Sequence, residues 1–365
     1  MNITDITYLR LFNQQLIGSA CKTAKEIVGK MGAMQAQDFS MAKWAIGCRL
    51  PGSTGITIEA ELNKGDILRT HLMRPTWHFV SSDDIYWLLE LSAPQIKAIV
   101  SARDKRLQLN ENIYRKSNFI IENALQGGEH LSREELAKEL ESAEIPIDYN
   151  KVSHYLLRAE IDGIICSGRI KNNKYTYALL EERVPKKKKI TREEATSWLA
   201  QRYFSSHGPA TIQDFIWWSG LSITESKRAL EMVKSNFVSE IIEKQTYWFP
   251  NTASIPEPDK NTVFLLPAFD EFIISYRDRT ASLLIADHKK AVSSNGIFRP
   301  VIVINGQVTG LWKRITQKDK VTLETILFQP VNNTIQNLIQ ETVFQYENFL
   351  NKKVELVPAS KPLKG

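Results

Sequence analysis

The run Leu131-Ser132-Arg133-Glu134-Glu135-Leu136 opens a helix, with Ser132 and Glu135 at the Ser-x-x-Glu spacing of a capping box. A second helix follows from about Asn150 to Glu160, where Val152, Tyr155, Leu156 and Ala159 form one apolar stripe, and Asp162-Gly163 ends it. Next come Gly168-Arg169-Ile170-Lys171 and Tyr175-Thr176-Tyr177-Ala178, two β-prone segments around the polar tip Asn172-Asn173-Lys174. Helix, helix and basic hairpin, in that order, predict a winged helix-turn-helix.

The same order occurs on both sides. Upstream, apolar residues recur at three and four positions between Thr7 and Arg49 (Leu9, Leu11, Leu16, Ile17, then Ile27, Met31, Met34), which predicts helices. Pro51-Gly52-Ser53 breaks the chain, and Ile56 to Leu62 makes a further short helix. Gly65-Asp66 then turns into the extended stretch Arg69 to Arg74 and, past Pro75, Trp77 to Val80. Downstream, Lys186 to Lys189 reads as an exposed charged linker. After it, Thr191 to Glu194 caps a helix, Ala210 to Phe215 begins another, Ser219-Gly220-Leu221 turns, and a helix runs from Ser222 towards Val238 before the short strand Tyr247-Trp248-Phe249.

From Val263 the composition becomes β-prone: Val263 to Pro267, Ser282 to Ala286, and Val301 to Ile304 joined by Asn305-Gly306 to Val308 to Trp312, a strong hairpin signal. Val321 to Phe328 and Lys353 to Val357 bracket an amphipathic helix from about Thr334 to Leu350. A small antiparallel barrel or curled sheet with one helix is expected, with a flexible tail after Pro358. The expected fold class is therefore α+β: three tandem winged-helix domains (1–110, 111–185 and 186–258) followed by a small C-terminal β-barrel (259–365).

The chain has 365 residues, 43% hydrophobic and 24% charged, which excludes a stapled miniprotein and intrinsic disorder. Its net charge of +6 favours polyanionic partners without identifying one. Cys21, Cys48 and Cys166 show no CxxC or Cys/His spacing, so neither a disulfide framework nor a zinc site is expected. The first residues lack an apolar core, and no apolar run approaches the roughly 20 residues of a membrane span, so a cytoplasmic location is expected. There is no P-loop, no GxGxxG, no Ser-His-Asp order and no metal-ligand spacing, so no nucleotide cofactor, metal or other cofactor is expected.

The most unusual chemistry lies in Met34-Gln35-Ala36-Gln37-Asp38, placed where a helix of the first unit should end. Two amides and a carboxylate there either cap the helix and fill polar surface, or form a site.

Five stretches carry a resemblance: Gln35-Ala36-Gln37-Asp38, His71 to Val80, His207-Gly208-Pro209-Ala210-Thr211, Leu265 to Glu271, and Asn295 to Pro300. Together they resemble the HTH_42 family of winged-helix proteins, which includes the AlkZ- and YcaQ-like DNA glycosylases, from about Thr7 to about Leu356. The resemblance implies three tandem winged helices and a β-barrel forming a cradle for DNA. It also implies a catalytic Gln-x-Gln or Gln-x-Asp signature, here of the two-glutamine type through Gln35 and Gln37.

A neutral amide takes no proton at pH 7, so the substrate must already be labile. A purine alkylated at N7 is such a substrate, because its positive charge lets the N-glycosidic bond break toward an oxocarbenium-like sugar. Amide oxygens could then orient the attacking water and face the developing positive charge. Both glutamines are expected to project from a helix end into the cradle, not into a core, with Asp38 and His71 as possible support. Arg69, Arg74, Arg169, Lys171, Lys174, Lys313 and Arg314 are expected to meet phosphates of double-stranded DNA. Of the adjacent Trp217 and Trp218 at least one reads as core, His71 and His78 lie on opposite faces if the strand is unbroken, a parity that Pro75 leaves open, and Asp270, Glu271, Arg277, Asp278 and Arg279 around Tyr276 read as an internal salt-bridge network. The expected activity is a monomeric glycosylase for N7-alkylated or cross-linked purines. The alternative is a non-enzymatic winged-helix DNA-binding protein or regulator.

Overall fold

Ser132 Oγ accepts from the Glu135 backbone and the Glu135 carboxylate accepts from the Ser132 N–H, so the helix Arg133–Ser142 starts at its capping box. In this computed structural model, which describes residues 2–172, 174–251, 261–317 and 320–358, that helix packs with Glu111–Leu125 and Tyr149–Ile161. Leu125, Leu136, Leu140, Tyr155, Leu156 and Ile165 fill the core between them. Strand Thr176–Leu179 lies between Leu131–Ser132 and Ile165–Ser167. Asn173, in the expected hairpin tip, and the tail from 359 lie outside the described residues.

The first unit repeats the pattern with helices Ala24–Met31, Phe39–Gly47 and Gly55–Lys64 and the hairpin Ile67–Leu72/Thr76–Ser81. A short strand, Met34–Gln35, adds to the free side of Thr76–Ser81. Sequence periodicity did not separate the 22-residue helix Ile85–Arg106 that follows. In the third unit, helices Arg192–His207, Ile212–Ser219 and Ile223–Val233 precede the hairpin Phe237–Ile242/Gln245–Pro250. The helix expected to run to Val238 ends at Val233, because Phe237 turns into the core as the first strand residue.

The C-terminal part corrects the expected barrel. Its five strands run in the order Val354–Pro358, Val321–Leu327, Gln307–Thr316, Val301–Ile304, Val263–Leu266, and among the described residues the two outer strands do not pair. The sheet is open, and it is not wholly antiparallel. Val354–Pro358 runs parallel to Val321–Leu327 because the 18-residue helix Asn333–Leu350 returns the chain to the same end. Ser282–Ala286, read as a strand, is turn and 3-10 helix.

The N-terminal helix Ile3–Asn13 ties the parts together. Arg10 Nε donates to Pro209 O at 2.9 Å, Asn13 Nδ2 to Gly208 O at 2.8 Å, and Gln14 Nε2 to Tyr276 Oη at 2.9 Å. Among the described residues, no helix is long and apolar enough to cross a membrane, and no cluster of three or more His, Cys, Asp or Glu residues could hold a metal ion.

Candidate active site

Gly32, at φ 81°, releases the chain from helix Ala24–Met31 into the short strand that carries Gln35. Gln35 pairs with His78 across the sheet, and Ala36 N–H donates to Trp77 O at 2.7 Å. Asp38 then caps the next helix, its Oδ1 accepting from Met41 N–H at 3.0 Å. The Gln-Ala-Gln-Asp segment therefore spans a strand and a helix start, where the sequence had suggested a helix end. The order of events is strand, extended turn, N-cap.

Gln35 is the last residue of the short strand, and Gln37 lies in the bend that leads to the Asp38 cap. Gln37 is exposed, as expected, but Gln35 is only 7% exposed, which corrects its reading as a surface amide. Gln35 Oε1 is buried and, among the described residues, has no hydrogen-bond partner. The backbone around it is clamped from two directions. Gln35 N–H donates to Glu271 Oε1 at 2.6 Å. From the other side, Arg69 Nε donates to Ala36 O at 3.0 Å, and its Nη2 reaches Gln37 O at 3.4 Å.

Glu271 is a buried hub. Its Oε2 accepts from Trp218 Nε1–H at 3.1 Å and from the Ser275 hydroxyl, and His207 Nε2 lies 3.7 Å away. Burial alone would raise the carboxyl's pKa, but the facing His207, the Ser275 hydroxyl and the Gln35 N–H outweigh it and hold it down to about 2. Burial also lowers the pKa of His207, against the upward pull of Glu271, and its ring stacks on Tyr203 at 4.9 Å. His78, opposite Gln35, is fully enclosed; desolvation pulls its pKa down to about 4, and its Nδ1 faces Thr76 O at 2.9 Å. Asp270, next to Glu271, holds the buried Arg49 guanidinium in a fork at 2.8 and 2.9 Å. The expected salt-bridge network is thus corrected. Asp270 and Glu271 reach to Arg49 and Gln35, Arg277 reaches to Gln213, and Asp278 holds Thr280.

The remaining candidates fall into three groups. Arg69 lies 4.1 Å from the Trp77 ring centroid, and the His71 ring is tilted against the same indole with its centroid 3.9 Å away. His71 Nδ1 is bound to Glu160, a fully buried carboxylate of helix Tyr149–Ile161 whose pKa burial raises against the pull of His71 and Arg69. The sequence left the parity of His71 and His78 open across Pro75; the chain turns there into a hairpin, and the register places the two rings on opposite sheet faces. Arg169, Lys171 and Lys174 stand exposed on the second hairpin. Arg74, Lys313 and Arg314 already have protein partners: Trp217 O at 2.9 Å, Glu324 at 2.9 Å, and both Ser40 Oγ and Tyr346 Oη at 2.8 and 3.1 Å. Of the tryptophan pair, Trp218 is the core residue expected, while Trp217 is 38% exposed. Glu160 and the clamping role of Glu271 were missed: Glu271 is 236 residues from Gln35, and no spacing rule links them.

A family model described as DNA glycosylase AlkZ-like matches residues 28–349. The chain belongs to the AlkZ-like family of DNA glycosylases. An interstrand DNA cross-link repair glycosylase of Streptomyces sahachiroi is 23% identical over 323 residues, which cover 82% of this chain and 84% of that protein. The solved structure of the Streptomyces sahachiroi DNA glycosylase AlkZ matches with a TM-score of 0.77 at 19% identity, over 98% of this chain and 100% of that one. Family membership makes the chain a DNA glycosylase, and so an enzyme acting on DNA, instead of the non-enzymatic binder that was the alternative.

Proposed function

We propose that this glycosylase hydrolyses the N-glycosidic bond of N7-alkylated purines, cross-linked purines included, in double-stranded DNA, with Gln35 and Gln37 as the catalytic amides. The observation that carries this reading is the Gln35 Oε1 atom, a buried acceptor without a partner among the described residues, on a strand held by Glu271 and Arg69. Leaving such an acceptor unsatisfied costs about 1–3 kcal/mol, so the site gains when a water or the substrate supplies a donor. Water donating to that oxygen is aimed by a fixed dipole, and the same dipole opposes the positive sugar that forms as the base departs.

In the reaction, the C1′–N9 bond breaks and its electron pair neutralises the cationic purine. Water oxygen bonds to C1′, and its proton is released to solvent, since neither amide can take it. Asp38 contributes negative charge near the segment while its oxygen caps the following helix. His71, fixed by Glu160, supports the neighbouring sheet face. Three winged-helix domains (1–110, 111–185, 186–258) and the C-terminal part (259–365), which holds the open sheet of the described strands, form the DNA cradle in this reading. The enzyme works as a cytoplasmic monomer, and the exposed Arg169, Lys171 and Lys174 meet phosphates. The relative's cross-link repair activity supports including cross-linked purines.

The test is a duplex containing N7-methylguanine, incubated with the protein and then assayed for abasic sites. Abasic sites accumulating faster than spontaneous depurination are expected, and the spontaneous rate alone would overturn the lesion assignment.

A further inference from the structure

Arg74, in a turn, and Arg279, in a loop 205 positions later in sequence number, both lie against the Trp217 indole, with their guanidinium carbons 4.9 and 5.3 Å from its ring centroid, and that of Arg279 is also 4.9 Å from the Phe298 ring. The ring itself is fixed, because Trp217 Nε1 donates to Ile274 O at 2.8 Å. Two like charges are therefore held against one partly exposed side chain. Among the described residues, neither arginine lies within ion-pair distance of a carboxylate, and the buried Glu271 acts on Arg74 only at longer range. Asp214 and Asp278 are within electrostatic range of Arg279, but they are occupied elsewhere. Asp214 accepts from the Arg277, Asp278 and Thr211 N–H groups, and Asp278 accepts from the N–H and hydroxyl of Thr280. Arg279 donates to Ile273 O and Arg277 O, and its Nη2 is buried without a partner. Arg74 spends one nitrogen on Trp217 O.

Both guanidinium groups are partly buried, which makes the want of a close counter-anion costly, and guanidinium donors match phosphate oxygens in geometry and charge. We propose that Arg74 and Arg279, braced on Trp217, form a subsite for one backbone phosphodiester of the DNA substrate beside the Gln35 strand. Its placement follows from two connections. Arg74 lies in the turn before Thr76–Ser81, the strand that pairs with Gln35, and Trp218, the residue after Trp217, donates to the Glu271 that holds Gln35. Burial, followed by the repulsion of Arg74, pushes the Arg279 guanidinium down to about 10, as expected for a charge that lacks its anion. A phosphodiester fixed there holds the sugar-phosphate chain next to the buried amide. The proposal rests on the DNA substrate of the reading above and not on its lesion chemistry.

The experiment measures binding of the full chain to an unmodified duplex across a salt series, for the parent, Arg74→Gln, Arg279→Gln and the double variant. Each single variant is expected to bind roughly 10- to 100-fold more weakly, the range for a hydrogen bond to a charged group. If both arginines hold one phosphate, the double variant loses little more than either single one, and its salt slope falls by about 1. Parent affinity and slope in the single variants, or losses that multiply fully in the double, would overturn the shared subsite. Should Arg279→Gln not fold, Arg279→Lys gives the reading: the slope is retained and affinity falls modestly, whereas a changed slope with the charge kept contradicts the proposal. Because no alkylated base is present, this result stands or falls separately from base excision.

Discussion

Glu271→Gln replaces two charge-assisted acceptor sites with one acceptor and one donor. If the new amide oxygen keeps facing Gln35 N–H, the amide nitrogen takes the place of the oxygen that accepts from Trp218 Nε1–H at 3.1 Å. Ser275 can rotate its hydroxyl to accept, but the indole N–H cannot, and it becomes an unsatisfied buried donor costing about 1–3 kcal/mol. Loss of charge assistance at Gln35 N–H adds about 1 kcal/mol. The variant should therefore be less stable by roughly 2–4 kcal/mol in guanidinium unfolding. Excision should fall by more than stability explains, because a shift of the Gln35 strand on the order of 1 Å costs about 100-fold in a reaction that depends on placement. Single-turnover release of N7-methylguanine at a temperature where the variant stays folded, with DNA affinity measured in parallel, separates the two effects. Destabilisation together with parental excision would refute the clamp, leaving Glu271 a structural residue only.

Three further outcomes are expected. Arg49→Met strands the Asp270 carboxylate in the core, and a guanidinium melt should show a loss of about 3–5 kcal/mol. His78 has a folded pKa near 4 against an ordinary 6.5, so the unfolded chain binds its proton first: its stabilisation is complete above pH 6.5 and is lost as pH falls toward 4, a change of about 3 kcal/mol. His78→Gln should accordingly show a smaller difference in stability between pH 7 and pH 4.5 than the parent does. Gln37→Glu should keep partial excision where Gln37→Ala loses it, since a carboxylate can still orient water and face the oxocarbenium charge.

Local signals in the sequence were legible where a few neighbouring residues settle the structure. The capping boxes at Ser132, Thr191 and Ser222 start helices at those residues, and Asn305-Gly306 makes its turn with both residues at positive φ. Pairing between distant strands was not legible. Whether Val354–Pro358 closes a barrel or joins in parallel depends on where an 18-residue helix delivers the chain, and apolar alternation is the same in both cases. The Phe237–Ile242 strand was hidden because its apolar residues also continue the preceding helical pattern. At the site, the sequence marked Gln35 and Gln37 but not what holds them. Glu271 looked like one member of a local charge cluster, and Arg69 looked like a phosphate contact. Only the folded chain brings both onto the backbone of residues 35–37.

Single-turnover excision of N7-methylguanine by the parent, Gln35→Ala and Gln37→Ala tests the central claim most directly, with duplex affinity measured alongside. Removing one fixed dipole from a transition-state site costs about 100- to 1000-fold. Both variants should therefore lose excision on that scale while Gln37→Ala, altered only at an exposed amide, keeps parental stability and DNA affinity. Parental excision rates in both alanine variants would contradict the account.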